Sequence, residues 1–239
     1  MPVRDKLILA LDLNEKKRAL EVVDKFSDHI NTFKVGLELF VSAGPSVVDE
    51  INRKGKRVFL DLKFHDISNT ASRAAIAAAR LGVYMFNMHA NGGLEMMKIC
   101  RESVAETCLK EGIERPRMIG VTVLTGLTPD ALKNELSVAH SIRTHVKQLA
   151  KLAIDAGLDG VVASGHETSM IRNHFGKDFI IVTPGIRTSW SPPDDQRRTA
   201  TPREAIKAGA DFIVLGRAVL NQPDPLKALE LISAEILTA

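Results

Sequence analysis

Eight short apolar, β-rich runs lie along this sequence with helix-patterned segments between them, and that alternation constrains the fold more than any other feature. The runs are residues 7–12 (LILALD), 32–36 (TFKVG), 57–63 (RVFLDLK), 83–88 (VYMFNM), 118–124 (MIGVTVL), 159–163 (DGVVA), 179–184 (FIIVTP) and 211–216 (DFIVLG). Between them, segments such as ASRAAIAAARLG, IRTHVKQLAKLAIDAG and TPREAIKAGA are alanine-rich, carry apolar side chains at helical spacing and have a glycine near the end. Strands separated by helices pair in parallel. Eight repeats within 239 residues favour an α/β fold of the (β/α)8 or TIM-barrel kind, with residues 1–239 as a single domain. An open doubly wound sheet is the structural alternative, but no GxGxxG follows the first run and no GxxxxGK[ST] occurs anywhere. The longest aperiodic stretches, 125–140 and 185–200, follow the fifth and seventh runs, which in a barrel puts both on the catalytic face.

Composition narrows the choice of partner. Hydrophobic residues make up 45% and charged residues 26% of the chain, an ordinary globular balance. The 32 basic and 29 acidic residues leave a formal charge of +3, and the basic ones are spread along the chain, so no nucleic-acid partner is expected. No apolar stretch approaches the ~20 residues of a membrane span, and the opening residues MPVRDK lack a signal-peptide apolar region. Cys100 and Cys108 share one helix-patterned segment, roughly 12 Å apart along its axis, and cannot bridge each other. Reduced cysteines without metal-binding spacing fit a cytoplasmic protein.

The chemistry concentrates at strand ends. Period-two alternation in the third run puts Phe59, Asp61 and Lys63 on one face and Val58, Leu60, Leu62 and Phe64 on the other. The apolar face should meet the helices, so Asp61 and Lys63 point inward at the C-terminal end, where barrel enzymes keep catalytic groups. Asp66 follows at the start of the loop and by itself reads as a solvated rim residue. The first run ends in Asp12, and the second carries Lys34 between Phe33 and Val35. Charges converging on one barrel mouth are costly unless they pair and bind something, so a shared functional network is expected. The eighth run leads into Gly216 and Arg217, the usual place for a barrel phosphate site. After the seventh run comes PGIR with Arg187, which alone could be a surface arginine, and then TSWSPPDDQRRTATP, which reads as a mobile lid. His65 is read as structural, and His89, His140, His145 and His166 form no ligand-like cluster.

Residues 61–70, DLKFHDISNT, resemble the signature of the orotidine 5'-monophosphate decarboxylase family, DxKxxD followed by Ile or Val and a threonine. The resemblance continues in family order through ALD (Asp12), FKVG (Lys34), VTVLT (Thr125), PGIR (Arg187), DDQRR (Gln196) and VLGR (Gly216, Arg217), so it spans nearly the whole chain. Ser68 departs from the Pro, Gly or Ala usual in the family, which touches loop stiffness more than chemistry. The resemblance implies a cofactor-free enzyme that converts orotidine 5'-monophosphate to UMP and CO2, with Lys63 delivering a proton to C6 of the pyrimidine and Asp61 beside the departing carboxylate. It implies that Asp12 and Lys34 contact the ribose hydroxyls, Thr125 faces the pyrimidine, Gln196 spans pyrimidine and phosphate, and Arg217 with the Gly216 amide binds phosphate, with Arg187 at the lid base. It also implies a homodimer in which Asp66 and Thr70 enter the partner's site. The nearest rival is a magnesium-dependent keto-sugar-phosphate decarboxylase or aldolase of the same superfamily, which places a metal-holding glutamate where this chain has Lys34. A catalytically dead phosphosugar-binding barrel is a rival of another class, and the full set of Asp61, Lys63 and Asp66 argues against it.

Overall fold

The computed structural model describes residues 2–188, 190 and 198–238. Its eight strands are β1 (Leu7–Ala10), β2 (Thr32–Gly36), β3 (Arg57–Phe64), β4 (Met85–His89), β5 (Arg117–Val121), β6 (Gly160–Val162), β7 (Ile180–Thr183) and β8 (Phe212–Leu215). They pair in parallel and in sequence order, and β1 closes on β8 through Leu7↔Ile213, Ile8↔Val214 and Leu9↔Leu215. Closure decides against the open sheet. Every expected strand is present; the fourth begins two residues later than the pattern suggested, and the fifth ends at Val121 instead of residue 124.

The sheet divides the apolar side chains into two layers by parity. Ile8, Phe59, Met85, Ile119, Val182 and Phe212 form a small cluster that fills the barrel interior. Their strand neighbours, among them Leu7, Leu9, Val58, Leu60, Phe86, Met118 and Ile181, point outward into the larger core beneath the helices. The alanine-rich segment becomes the helix Ser68–Arg80, whose Ala71, Ala75, Ala78 and Ala79 are buried. Such small side chains allow close packing on the neighbouring helix Gly93–Glu111. Gly82 and Gly157 end their helical segments with φ of +67° and +76°, the left-handed conformation that glycine adopts without cost.

The aperiodic stretch 125–140 contains a short helix, Pro129–Asn134, capped by the Thr128 side chain accepting from the Ala131 N–H. Six residues are too few to display a period. Cys100 and Cys108 are both buried, and burial pushes the Cys100 thiol up to about 11, which leaves it unreactive. No helix among the described residues is long and apolar enough to cross a membrane.

Between β6 and β7 the backbones approach closely: Gly160 pairs with Ile180, and a Cβ at Gly160 would overlap the Ile180 carbonyl. Replacing Gly160 with alanine should therefore force the two strands apart and cost about 2 to 4 kcal/mol, more than the usual glycine-to-alanine change in a strand. Urea unfolding of Gly160→Ala measures this, and a loss under about 0.5 kcal/mol would show that the ladder gives way there without strain.

Candidate active site

The parity that fills the barrel interior also decides which side chains reach its mouth. Continuing the inward series upward from Ile8 gives Ala10 and Asp12; from Phe59, Asp61; from Met85, Asn87; from Ile119, Val121 and Val123; from Phe212, Val214 and Gly216. All of these line one cavity of about 380 Å3 at the C-terminal end of the strands, together with Lys34, Lys63, Thr125, Arg187 and Arg217. The expected site residues of β1, β2, β3, β5, β7 and β8 are thus brought together.

At its floor the charges alternate. The Lys34 ammonium lies 3.0 Å from Asp12 Oδ1 and 3.3 Å from Asp61 Oδ2, while the Lys63 ammonium lies 2.7 Å from Asp61 Oδ1. Asp61 thus offers one oxygen to each lysine. Burial opposes charge on Asp61, but Lys34, Lys63 and the hydrogen bonds from Lys63 and Asn87 outweigh it and hold the carboxyl below its ordinary range. Burial likewise opposes charge on Lys34, and the carboxylates of Asp61 and Asp12 overcome it, raising the ammonium above its usual value. Both groups are ionised at neutral pH.

Lys63 reaches this position by an irregular route. The sequence pattern predicts simple alternation through residue 64, whereas the β3–β4 register shifts between Leu60 and Phe64 and Lys63 takes a left-handed φ of +53°. For a non-glycine residue that conformation costs on the order of 1 to 2 kcal/mol. Asn87, 1% exposed, supports it from β4: its Oδ1 accepts the Lys63 N–H at 2.8 Å and its Nδ2 donates to Asp61 Oδ1 at 2.7 Å. Sequence reasoning missed Asn87. Its signal was a lone amide inside an apolar strand, at the inward parity of Met85, where an unpaired polar group would be penalised.

Other expected residues lie elsewhere. Asp66 and Thr70 are exposed and do not line the cavity, and Asp66 Oδ1 accepts the Ile67 N–H at 2.7 Å. Gln196 lies outside the described residues. Arg187 donates to the Ile186 carbonyl at 2.7 Å, and its chain segment is pinned by the bridge Ile186↔Ala200. Arg217 opens the short helix Arg217–Leu220 directly after Gly216. His65 is exposed, with its ring 5.6 Å from that of His89. Burial, then the neighbouring His65 and Lys63, hold His89 below the ordinary histidine value. Among the described residues no group of three or more His, Cys, Asp or Glu side chains could hold a metal ion.

The Asp61 network sets a pH signature. Because its folded-state pKa is depressed, its contribution to stability is complete above the unfolded value of about 4 and is lost as pH falls through the lower folded value. The stability difference between the parent and Asp61→Asn, measured by urea unfolding, should be constant from neutral pH to about 5 and then shrink toward pH 3. A difference that stays constant to pH 3 would mean that Asp61 is not held ionised by its lysines.

A sequence model of the "Orotidine 5'-phosphate decarboxylase / HUMPS family" matches residues 5–232. A protein of Trichlorobacter lovleyi named orotidine 5'-phosphate decarboxylase is 47% identical over 234 residues, covering 98% of this chain and 96% of its own. One of the same name from Geobacter metallireducens is 45% identical over 234 residues, covering 98% and 97%. Among solved structures, orotidine 5'-phosphate decarboxylase from Lactobacillus acidophilus superposes with a TM-score of 0.84 at 35% identity, covering 97% of this chain and 99% of that one. With the lysine-flanked aspartate at the barrel mouth and a match over nearly its full length, the chain belongs to the orotidine 5'-phosphate decarboxylase / HUMPS family.

Proposed function

We propose that this chain decarboxylates orotidine 5'-monophosphate to UMP, the last step of de novo pyrimidine nucleotide synthesis, in the cytoplasm and without a cofactor. The observation that carries the reading is Asp61 held between the ammonium groups of Lys34 and Lys63 on the cavity floor of a chain of this family. In the reaction the bond from C6 to the carboxylate breaks, the electron pair stays on C6 and CO2 leaves. Lys63 then gives its proton to C6 and regains one from solvent. A fixed ammonium stabilises the negative charge as it develops and is the general acid for the second step. Asp61 helps to keep Lys34 charged and holds both ammonium groups in place.

The remaining cavity residues supply binding. Asp12 and Lys34 face the ribose hydroxyls, Thr125 the pyrimidine, and Arg217 with the Gly216 N–H the phosphate. Arg187 adds charge at the phosphate end, and Gln196 bridges pyrimidine and phosphate. Asp66 and Thr70 complete the site of a second copy in a homodimer. Support for that assignment comes from their exposure outside the cavity and from exposed apolar side chains on the connections after β2 and β3, where Leu37, Val41 and Ile67 are 55%, 81% and 73% exposed. The magnesium-dependent alternative fares worse, because an ammonium stands at the β2 position and both Asp61 oxygens are taken by lysines.

Incubation with orotidine 5'-monophosphate and a chelator, followed by pyrimidine absorbance, tests the activity directly, and persistence of substrate would overturn it. Lys63→Ala should lower kcat by at least ~10^4 while leaving the fold intact, since it removes both proton donor and cation. A folded variant that keeps more than about a tenth of the parent kcat would exclude Lys63 as the acid.

The shared site has its own test. Mixing Asp66→Asn with Lys63→Ala, each inactive alone, should restore part of the activity, because a hybrid dimer holds one site with both residues intact. No recovery after demonstrated subunit exchange would remove Asp66 from the partner's site.

A further inference from the structure

Arg198 is buried, 9% exposed, although it is a charged residue of the long connection after β7. Among the described residues its guanidinium makes three hydrogen bonds, to two different connections. Nη1 donates to Glu167 Oε1 at 3.0 Å, and Nη2 donates to the carbonyls of Val123 and Leu124, each at 2.9 Å. Glu167, 6% exposed, lies in the first turn of the helix Gly165–Phe175 and accepts through its other oxygen from the Ser164 hydroxyl. The connections after β5, β6 and β7 therefore meet at one guanidinium. Ser164, Val123 and Leu124 all line the cavity, and Thr125 follows directly.

The position of Arg198 is itself fixed. Ala200 forms a bridge with Ile186, the Arg187 N–H donates to the Ala200 carbonyl at 2.9 Å, and His166 Nε2 lies 2.9 Å from the Thr199 carbonyl. By contrast, the β5 strand ends at Val121, so the Val123 and Leu124 carbonyls lie past the end of the sheet. A buried ion pair is a poor source of stability, since apolar side chains of the same volume usually do as well. A planar fork that bonds a carboxylate and two successive carbonyls instead specifies geometry.

We propose that Arg198 is a positioning residue, which braces the connection after β5 against Glu167 and so sets the cavity wall that carries Thr125. Thr125 then meets the substrate at a fixed distance without an ordering step on binding. The activity readout rests on the decarboxylase reading of the cavity; the structural readout does not.

The test compares the parent with Arg198→Met, Arg198→Lys and Glu167→Gln, using Arg115→Met as a control. Arg115 pairs with Asp159 at 2.7 Å at the opposite end of the barrel. In Arg198→Met, amide hydrogen exchange over residues 122–128 should quicken at least about tenfold while the helix Pro225–Leu237 keeps the parent rate. KM for orotidine 5'-monophosphate should rise at least about tenfold, and kcat/KM should fall at least about thirtyfold. Arg198→Lys keeps the charge opposite Glu167 but not the fork, and should show the same pattern more weakly; it serves alone if the methionine variant does not fold. Glu167→Gln should weaken the brace with a smaller loss, and Arg115→Met should lower Tm with kcat/KM within about twofold of the parent. Exchange over 122–128 that matches the parent, quickening spread evenly over the chain, or a kcat/KM within about threefold for a folded Arg198 variant would overturn the proposal. If the parent itself leaves the substrate untouched, the decarboxylase reading fails and the exchange rates alone decide the role of Arg198.

Discussion

The cavity is organised around one carboxylate that two ammonium groups share. Asp61 has its two oxygens 3.3 Å and 2.7 Å from Lys34 and Lys63, with side-chain exposures of 13%, 11% and 27% respectively. Bringing three such charges out of water costs several kcal/mol per ion, and at an effective dielectric of about 20 each contact returns about 5 kcal/mol of attraction. The sums are comparable, so the cluster is tolerable only as a set. Asp12 and Asn87 add to it, Asp12 accepting from Lys34 and Asn87 donating to Asp61. Removing Asp61 in particular leaves two ammonium groups without the carboxylate they share, in a poorly solvated place.

That set is built from one geometric rule applied on neighbouring strands. Lys34 on β2 and Asp61 on β3 share the inward parity, and the register places Lys34 opposite Phe59 and Gly36 opposite Asp61. The barrel interior below them is apolar, which denies the charges any solvent from beneath. The mouth is where the cavity opens to water and ligand. The cavity therefore presents a fixed pattern of positive, negative and positive groups, and preorganised charges of this kind need no reorganisation when charge moves on a ligand.

Much of this was legible in the sequence because period two is a property of the chain itself. The alternation of RVFLDLK identified Asp61 as inward-facing, and the strand and helix repeats led to a closed parallel barrel, as found. What periodicity could not supply was the exception to it. Lys63 leaves the regular pleat with φ +53°, and the reason lies 24 residues away in Asn87, which captures its N–H. Likewise Arg198 carries no local sign of burial, since its partners Glu167, Val123 and Leu124 are 31, 75 and 74 residues distant. Long-range hydrogen bonds to backbone carbonyls leave no pattern in a single sequence. The short helix Pro129–Asn134 was hidden for a different reason, having less than two turns in which to repeat.

The strain at Lys63 has a consequence for how the site holds its charge. A lysine side chain without a fixed partner spreads its well-hydrated ammonium over several stem rotamers. The left-handed turn instead brings the ammonium back to Asp61, two residues earlier in the chain, at 2.7 Å. The cost, on the order of 1 to 2 kcal/mol, is offset by the hydrogen bond from the Lys63 N–H to Asn87 and by the ion pair with Asp61. Because the backbone bears the strain, the orientation of the ammonium is set before a ligand arrives, and binding a ligand costs little further side-chain entropy.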